Sequence, residues 1–207
     1  KRTMQFNLRR GGSIHKFLFS QKKDKKLRLV LLCDVSKSMD LYSRFLIHFI
    51  YAFQNAYDRI DTFVFSTALH RVSEFLREYE FERAFEMISE RIPHWSGGTK
   101  IGQCLSTFKE QHAHGMLDKK TIVLILSDGW DTGDPEVLEM AMRQLHKAAG
   151  RIIWLNPLAG SPTYQAEVTG MKTALPFIDV FAAAHNVESL RKIAPELRKG
   201  RKRHRRT

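Results

Sequence analysis

Three short stretches of this chain carry oxygen donors at spacings that could do chemistry together. Asp34, Ser36 and Ser38 alternate along Asp34-Val35-Ser36-Lys37-Ser38, Thr99 follows two glycines, and Asp128 precedes a third. A carboxylate with two hydroxyls one residue apart offers only hard oxygen ligands, which suit a hard cation such as Mg²⁺. Thr99, taken alone, reads as a helix N-cap just before an apolar-periodic run. Gly97-Gly98 is a weak phosphate cradle, because the Gly-Lys-Ser/Thr ending of a P-loop is missing. The two cysteines, Cys33 and Cys104, have no ligand spacing and suit reduced core thiols of a cytoplasmic protein.

The elements that must hold these residues are legible from periodicity. Leu27 to Cys33 is a nearly continuous apolar run, as expected of a strand buried on both faces of a parallel sheet, and it ends at Asp34. Thr121 to Leu126 repeats that pattern and ends at Asp128, with Gly129 as the turn. Between them the spacing predicts a helix over about 39–57 with an apolar face of Leu41, Phe45, Leu46, Phe49, Ile50 and Phe53. His48 lies on that face and reads as a packing residue. A strand is predicted over 60–67, a short edge strand over 69–75, and an amphipathic helix over 81–92 stopped by Pro93. The helix after Thr99 reaches about His112. A further helix begins at Pro135 and stops near Gly150, followed by a strand over 151–155, a loop-rich segment over 158–176 with a short helix near 165–174, a strand over 177–183 and a helix over 187–197.

Strands alternating with helices predict an α/β fold, a doubly wound and mostly parallel sheet with helices on both faces. In such a sheet ligands bind outside the carboxyl ends of the strands, at the switch point where strand order reverses. Two strands that both end in Asp can bring those carboxylates together only if they are neighbours there.

Charge divides the chain differently. The net charge is +12, but residues 1–28 hold ten Lys/Arg against one Asp, and residues 198–207 hold seven with no acid. The body between them is slightly acidic. This predicts three parts: a basic arm over 1–26, one domain over 27–197, and a disordered basic tail over 198–207. Phe6, Leu8, Ile14, Phe17, Leu18 and Phe19 give the arm apolar residues with which to dock, on this domain or on whatever precedes Lys1. The basic ends could bind nucleic acid or an anionic membrane surface nonspecifically, since the tail has no aromatic residue to stack bases. No apolar run approaches the length of a membrane helix, and no signal peptide is visible.

The five oxygen residues, in this order and context, resemble the metal-ion-dependent adhesion site of von Willebrand factor A (VWA) domains. The closer resemblance is to the CoxE-like branch of that family. It rests on Leu32-Cys-Asp-Val-Ser-Lys-Ser-Met39, Phe63-Val-Phe-Ser-Thr67, Trp95-Ser-Gly-Gly-Thr-Lys-Ile-Gly102, Leu126-Ser-Asp-Gly-Trp130, Ile153-Trp-Leu-Asn-Pro157 and Gly170-Met followed by Ala174-Leu-Pro176. The resemblance implies a Rossmann-like VWA fold and a Mg²⁺ site, with Mn²⁺ able to replace it. Ser36, Ser38 and Thr99 would bind by hydroxyl, Asp34 and Asp128 through water. Such a donor set leaves the cation electrophilic and one position open for a partner's Asp or Glu carboxylate. CoxE-like proteins are implied to act as adaptors or co-chaperones of a MoxR-type AAA+ ATPase in the maturation of, or metal insertion into, a client metalloenzyme. The implied role is therefore cytoplasmic and non-enzymatic. Lys37 stands where the family commonly has a small residue, and its charge would either weaken the cation or attract the partner acid. Trp130 and Asp131 follow the second carboxylate and either rim the binding face or serve the loop. The competing enzyme reading is a Mg²⁺-dependent, phosphatase-like hydrolase. It needs a second Asp as general acid two residues after Asp34, where Ser36 stands.

Overall fold

The computed structural model describes residues 27–91, 98–160, 166–186, 188–189 and 192–198. Among these residues six strands form one sheet in the order β3-β2-β1-β4-β5-β6. They are β1 (Arg28–Asp34), β2 (Ile60–Phe65), β3 (Leu69–Arg71), β4 (Thr121–Leu126), β5 (Arg151–Asn156) and β6 (Val180–Ala183). All neighbours pair in parallel except β3, which runs antiparallel to β2 at the edge. The predicted doubly wound architecture is the observed one.

β1 lies at the centre, and Leu29 to Cys33 are fully buried, because helices cover both sides. Side chains alternate across the pleat. Leu29, Leu31 and Cys33 pack into a core with Phe49, Ile50 and Phe53 of α1 (Asp40–Ala56), Leu76 of α2 (Ser73–Glu78), and Ala84 and Ile88 of α3 (Phe81–Arg91). Val30 and Leu32 face the opposite core. There they meet Cys104, Leu105 and Phe108 of α4 (Ile101–Gln111), Leu138 and Met142 of α5 (Pro135–Ala148), and Met171 of α6 (Thr169–Ala174). A last short helix, α7 (Ala194–Arg198), returns to the first side through Leu197. β1 is thus flanked by β2 and β4, and the chain leaves its two neighbours in opposite directions along the sheet. That reversal opens the crevice at their carboxyl ends.

Several boundaries differ from expectation. The predicted edge strand over 69–75 ends at Arg71, and residues 73–78 form α2 instead. The Ser73 hydroxyl accepts the Thr62 N–H (2.8 Å) and the Val72 N–H reaches the Thr62 carbonyl (2.9 Å), so the chain is turned off the sheet. The last strand starts at Val180 rather than at Phe177, because Leu175–Phe177 forms a 3-10 turn around Pro176. Gly150 follows the end of α5 but is not among the described glycines with a left-handed backbone, which are Gly115 and Gly129. A Cβ at Gly150 would lie 2.3 Å from the Lys119 carbonyl oxygen, so close backbone approach is what demands glycine there. His48 stacks on Phe81 with ring centroids 3.6 Å apart, a packing role as expected. The expected basic arm, the basic tail from 199 onward, the Lys37 side chain, and Pro93, Trp95 and Gly97 lie outside the described residues.

Candidate metal centre

The crevice is built from the exits of β1 and β4. Asp34 is the last residue of β1 and is buried with Ser36, while Ser38 is exposed. The chain turns tightly because the Asp34 carboxylate accepts the Ser36 backbone N–H through Oδ1 (2.9 Å). Its other oxygen, Oδ2, accepts the hydroxyl of Ser127 from the end of β4 (2.7 Å). Ser127 Oγ also receives the Gly129 N–H (2.9 Å). One buried hydroxyl therefore ties the two strand exits together. Ser36 Oγ and Ser38 Oγ lie 3.1 Å apart, so the two hydroxyls meet on one side of the turn.

Asp128 is buried too, and its Oδ1 accepts the Trp130 N–H (2.9 Å). Its carbonyl is held by the Asn156 side-chain amide at the end of β5 (2.9 Å). Gly129 has φ +82°, and a Cβ there would sit 2.3 Å from Met171, so the turn demands glycine on both counts.

Thr99 is buried beside this loop, and its role as N-cap of the next helix is not observed. The N-cap residue of α4 is Lys100, with no capping bond from its own side chain. The cap comes from across the crevice: Asp131 accepts the Ile101 N–H (3.0 Å) and the Gly102 N–H (3.4 Å), and also the Gly133 N–H (2.9 Å). Thr132 adds a second clamp. Its backbone N–H and its hydroxyl both donate to the Thr99 carbonyl, at 2.8 and 2.9 Å. The Lys100 N–H donates to the Ser66 carbonyl beyond β2 (2.9 Å). The Thr99 segment is thus fastened to the Asp128 loop on one side and to the exit of β2 on the other, and the N-cap expectation failed because a distant carboxylate outcompetes the local hydroxyl.

Electrostatics mark the same place. Burial pushes the Asp34 carboxyl up from 3.8 to about 7, and the negative charge of Asp128 adds to the rise. The bonds from Ser36 and Ser127 pull the other way without cancelling it. Two buried carboxylates face one crevice, and what stabilises Asp34 is hydroxyls and a backbone amide. Burial likewise pushes the Cys104 thiol up to about 12, with Asp34 and Asp131 contributing, which keeps it a protonated core thiol.

The sequence singles out Asp34, Ser36, Ser38, Thr99 and Asp128 as candidate ligands, and the fold brings the segments that carry them to one crevice. Sequence reading missed Ser127, Thr132 and Asn156 as the side chains that join those segments, and left Asp131 open. Each is small and polar in a stretch already rich in turn residues, so spacing gave no signal. Among the described residues no three His, Cys, Asp or Glu side chains group as metal ligands. The crevice offers carboxylates and hydroxyls instead.

The fold has known counterparts. Proximal thread matrix protein 1 (PTMP1) of the mussel byssus matches with a TM-score of 0.57 at 16% identity, over 86% of this chain and 48% of that one. A structure of the same protein with a zinc occupied MIDAS motif matches at 0.54 and 14%, with the same coverage. Manganese-loaded TRAP protein of Plasmodium vivax matches at 0.57 and 13%, over 85% of this chain and 75% of that one. The chain spans about half the length of the PTMP1 chains, and at these identities the likeness is one of fold. No curated protein matches in sequence. Among the described residues no helix is long and apolar enough to cross a membrane. The sequence matches the family described as VWA domain containing CoxE-like protein over residues 1–190, and the chain belongs to that family.

Proposed function

We propose that this chain is a non-enzymatic protein-interaction module that grips a partner's Asp or Glu through a divalent cation. Ser36, Ser38 and Thr99 would hold the cation by their hydroxyls, and Asp34 and Asp128 through water. When bound, Mg²⁺ (or Mn²⁺ in its place) supplies a Lewis-acidic position that accepts the partner's carboxylate. The observation that carries this reading is the pair of buried carboxylates at the switch point, of which Asp34 is held up to about 7 by burial and by its neighbour. A divalent cation is the natural complement of such a pair. The spacing of the hydroxyls fits as well. Adjacent oxygens in an octahedral shell about 2.1 Å from Mg²⁺ lie about 3 Å apart, and Ser36 Oγ and Ser38 Oγ are separated by 3.1 Å. The counterparts crystallised with zinc in a MIDAS motif and loaded with manganese are consistent with this chemistry.

In this reading the partner is a MoxR-type AAA+ ATPase, and the module works in the cytoplasm on the maturation of a client metalloenzyme. Family membership supports it. The basic ends would add a salt-dependent attraction to nucleic acid or an anionic surface. A phosphatase-like hydrolase finds less support, since the general acid that it needs two residues after Asp34 is replaced by Ser36, a hydroxyl that does not titrate near neutral pH. The test is a pull-down of the candidate ATPase in Mg²⁺ and in EDTA, beside calorimetric titration of Mg²⁺. Binding is expected only with the cation. Capture that persists both in EDTA and in Asp34→Ala defeats the metal bridge.

A further inference from the structure

Beside the crevice the chain displays apolar side chains that packing does not explain. Trp130 is 61% exposed, although its backbone is held by the loop. Its own N–H is taken by Asp128, and the residue after it, Asp131, caps α4. Before it, Gly129 is wedged against Met171, and the Gly129 carbonyl lies where a Cβ of Gly170 would stand, 2.3 Å away. Leu158, exposed by 38%, follows β5 at the same edge of the sheet. One buried residue links the two: Asn156 donates to the Asp128 carbonyl (2.9 Å) and accepts the Leu158 N–H (2.8 Å). Lys100, on the Thr99 side, is also exposed. An indole held in water by a rigid loop has already given up the backbone freedom that binding would otherwise remove. Tryptophan is also the side chain most often found as an anchor at interfaces.

We propose that Trp130 and Leu158 form an apolar ledge that determines which acidic residues the crevice accepts, favouring a partner segment whose Asp or Glu is flanked by large apolar side chains. The proposal rests on the metal reading above. The cation and Lys100 would draw the carboxylate, and the ledge would bury its neighbours. Each apolar side chain covered adds a free-energy gain that a lone carboxylate cannot supply.

Capped tripeptides test this with full-length protein labelled with ¹⁵N at its three tryptophans. Trp154 is a built-in control, since its indole N–H donates to the Ser127 carbonyl inside the core (2.9 Å). In Mg²⁺, acetyl-Leu-Asp-Leu-amide is expected to shift the Trp130 indole signal and to bind about fivefold or more tighter than acetyl-Gly-Asp-Gly-amide. Acetyl-Leu-Asn-Leu-amide should not bind, and EDTA should abolish every shift. Trp130→Ala, with Leu158→Ser as an independent second variant, should level the two Asp peptides while leaving the calorimetric Mg²⁺ affinity unchanged. Equal affinity of the two Asp peptides for the unaltered protein, or a preference that survives both variants, overturns the ledge and leaves the metal reading standing. Failure of both Asp peptides to bind in Mg²⁺ overturns the ledge and the metal reading together.

Discussion

Replacing Asp34 by Asn should make the metal-free protein more stable while removing its response to metal. The Asp34 carboxyl is pushed from 3.8 to about 7, chiefly by burial. Because its folded value lies above its unfolded one, the folded protein holds this proton more tightly than the unfolded chain. The contribution to stability is complete below about pH 4 and is lost as pH rises towards 7. Each factor of ten in proton affinity is worth about 1.4 kcal/mol, so at pH 8 the buried charge costs the metal-free fold up to about 4 kcal/mol. Asn keeps the shape. Its Oδ1 can accept the Ser36 N–H, and its amide can donate to Ser127 Oγ, which then turns its own proton elsewhere. For a chain of this size about 2–4 °C accompanies each kcal/mol. In EDTA at pH 8, Asp34→Asn should therefore melt higher than the unaltered protein, by up to about 8–16 °C. The gap should shrink by more than half by pH 5, as the native carboxyl takes up its proton. Adding Mg²⁺ at pH 8 should raise the melting temperature of the unaltered protein, as expected for a ligand that binds only the folded state, and leave Asp34→Asn where it was. Scanning calorimetry from pH 5 to 8 reads all of this. Melting curves of the two metal-free proteins that run parallel across that range would refute the claim that an uncompensated carboxylate is buried at the end of β1.

Two further substitutions, and a third as control, test the frame around the crevice. Asp131→Ala removes the distant cap of α4 and should cost about 1–2 kcal/mol, together with a measurable loss of Mg²⁺ affinity, because the Thr99 segment loses its fastening. Asp134→Ala is the control: Asp134 caps α5 by accepting the Glu136 N–H (2.9 Å), so it should cost similar stability and leave Mg²⁺ affinity alone in the same titration. Gly102→Ala would place a methyl 2.7 Å from the Leu138 backbone nitrogen, forcing α4 away from α5. It should lower the urea midpoint by the equivalent of about 1–3 kcal/mol, and an unchanged midpoint would show that the two helices are not in backbone contact.

Much of this protein is legible without coordinates. The fully buried β1 and β4 are read correctly because only a strand covered on both faces tolerates an unbroken apolar run, and their Asp endings mark the crevice for the same reason: a carboxylate cannot continue such a strand. Short elements are read less well. Residues 73–75 pass for strand because so short a stretch carries too little periodicity, and a single hydroxyl, Ser73, settles the matter by taking a β2 amide. Thr99 is recognised as part of the crevice but misjudged as a local cap, since nothing in its own segment announces that Asp131, about thirty residues on, will outcompete it.

What the sequence determined by itself is which stretches are strands and which strand ends carry candidate oxygen donors, because both follow from local chemistry: apolar runs make strands, and polar residues end them. What only the tertiary structure decided is how those donors are joined and charged. Ser127 reaches Asp34 across 93 residues of chain, and Asn156 reaches the Asp128 carbonyl across 28. The elevated affinity of Asp34 for its proton exists only once helices close over both faces of β1 and a second carboxylate arrives beside it. A pattern of residues can name an oxygen, but the work of taking that oxygen out of water is done by everything packed around it.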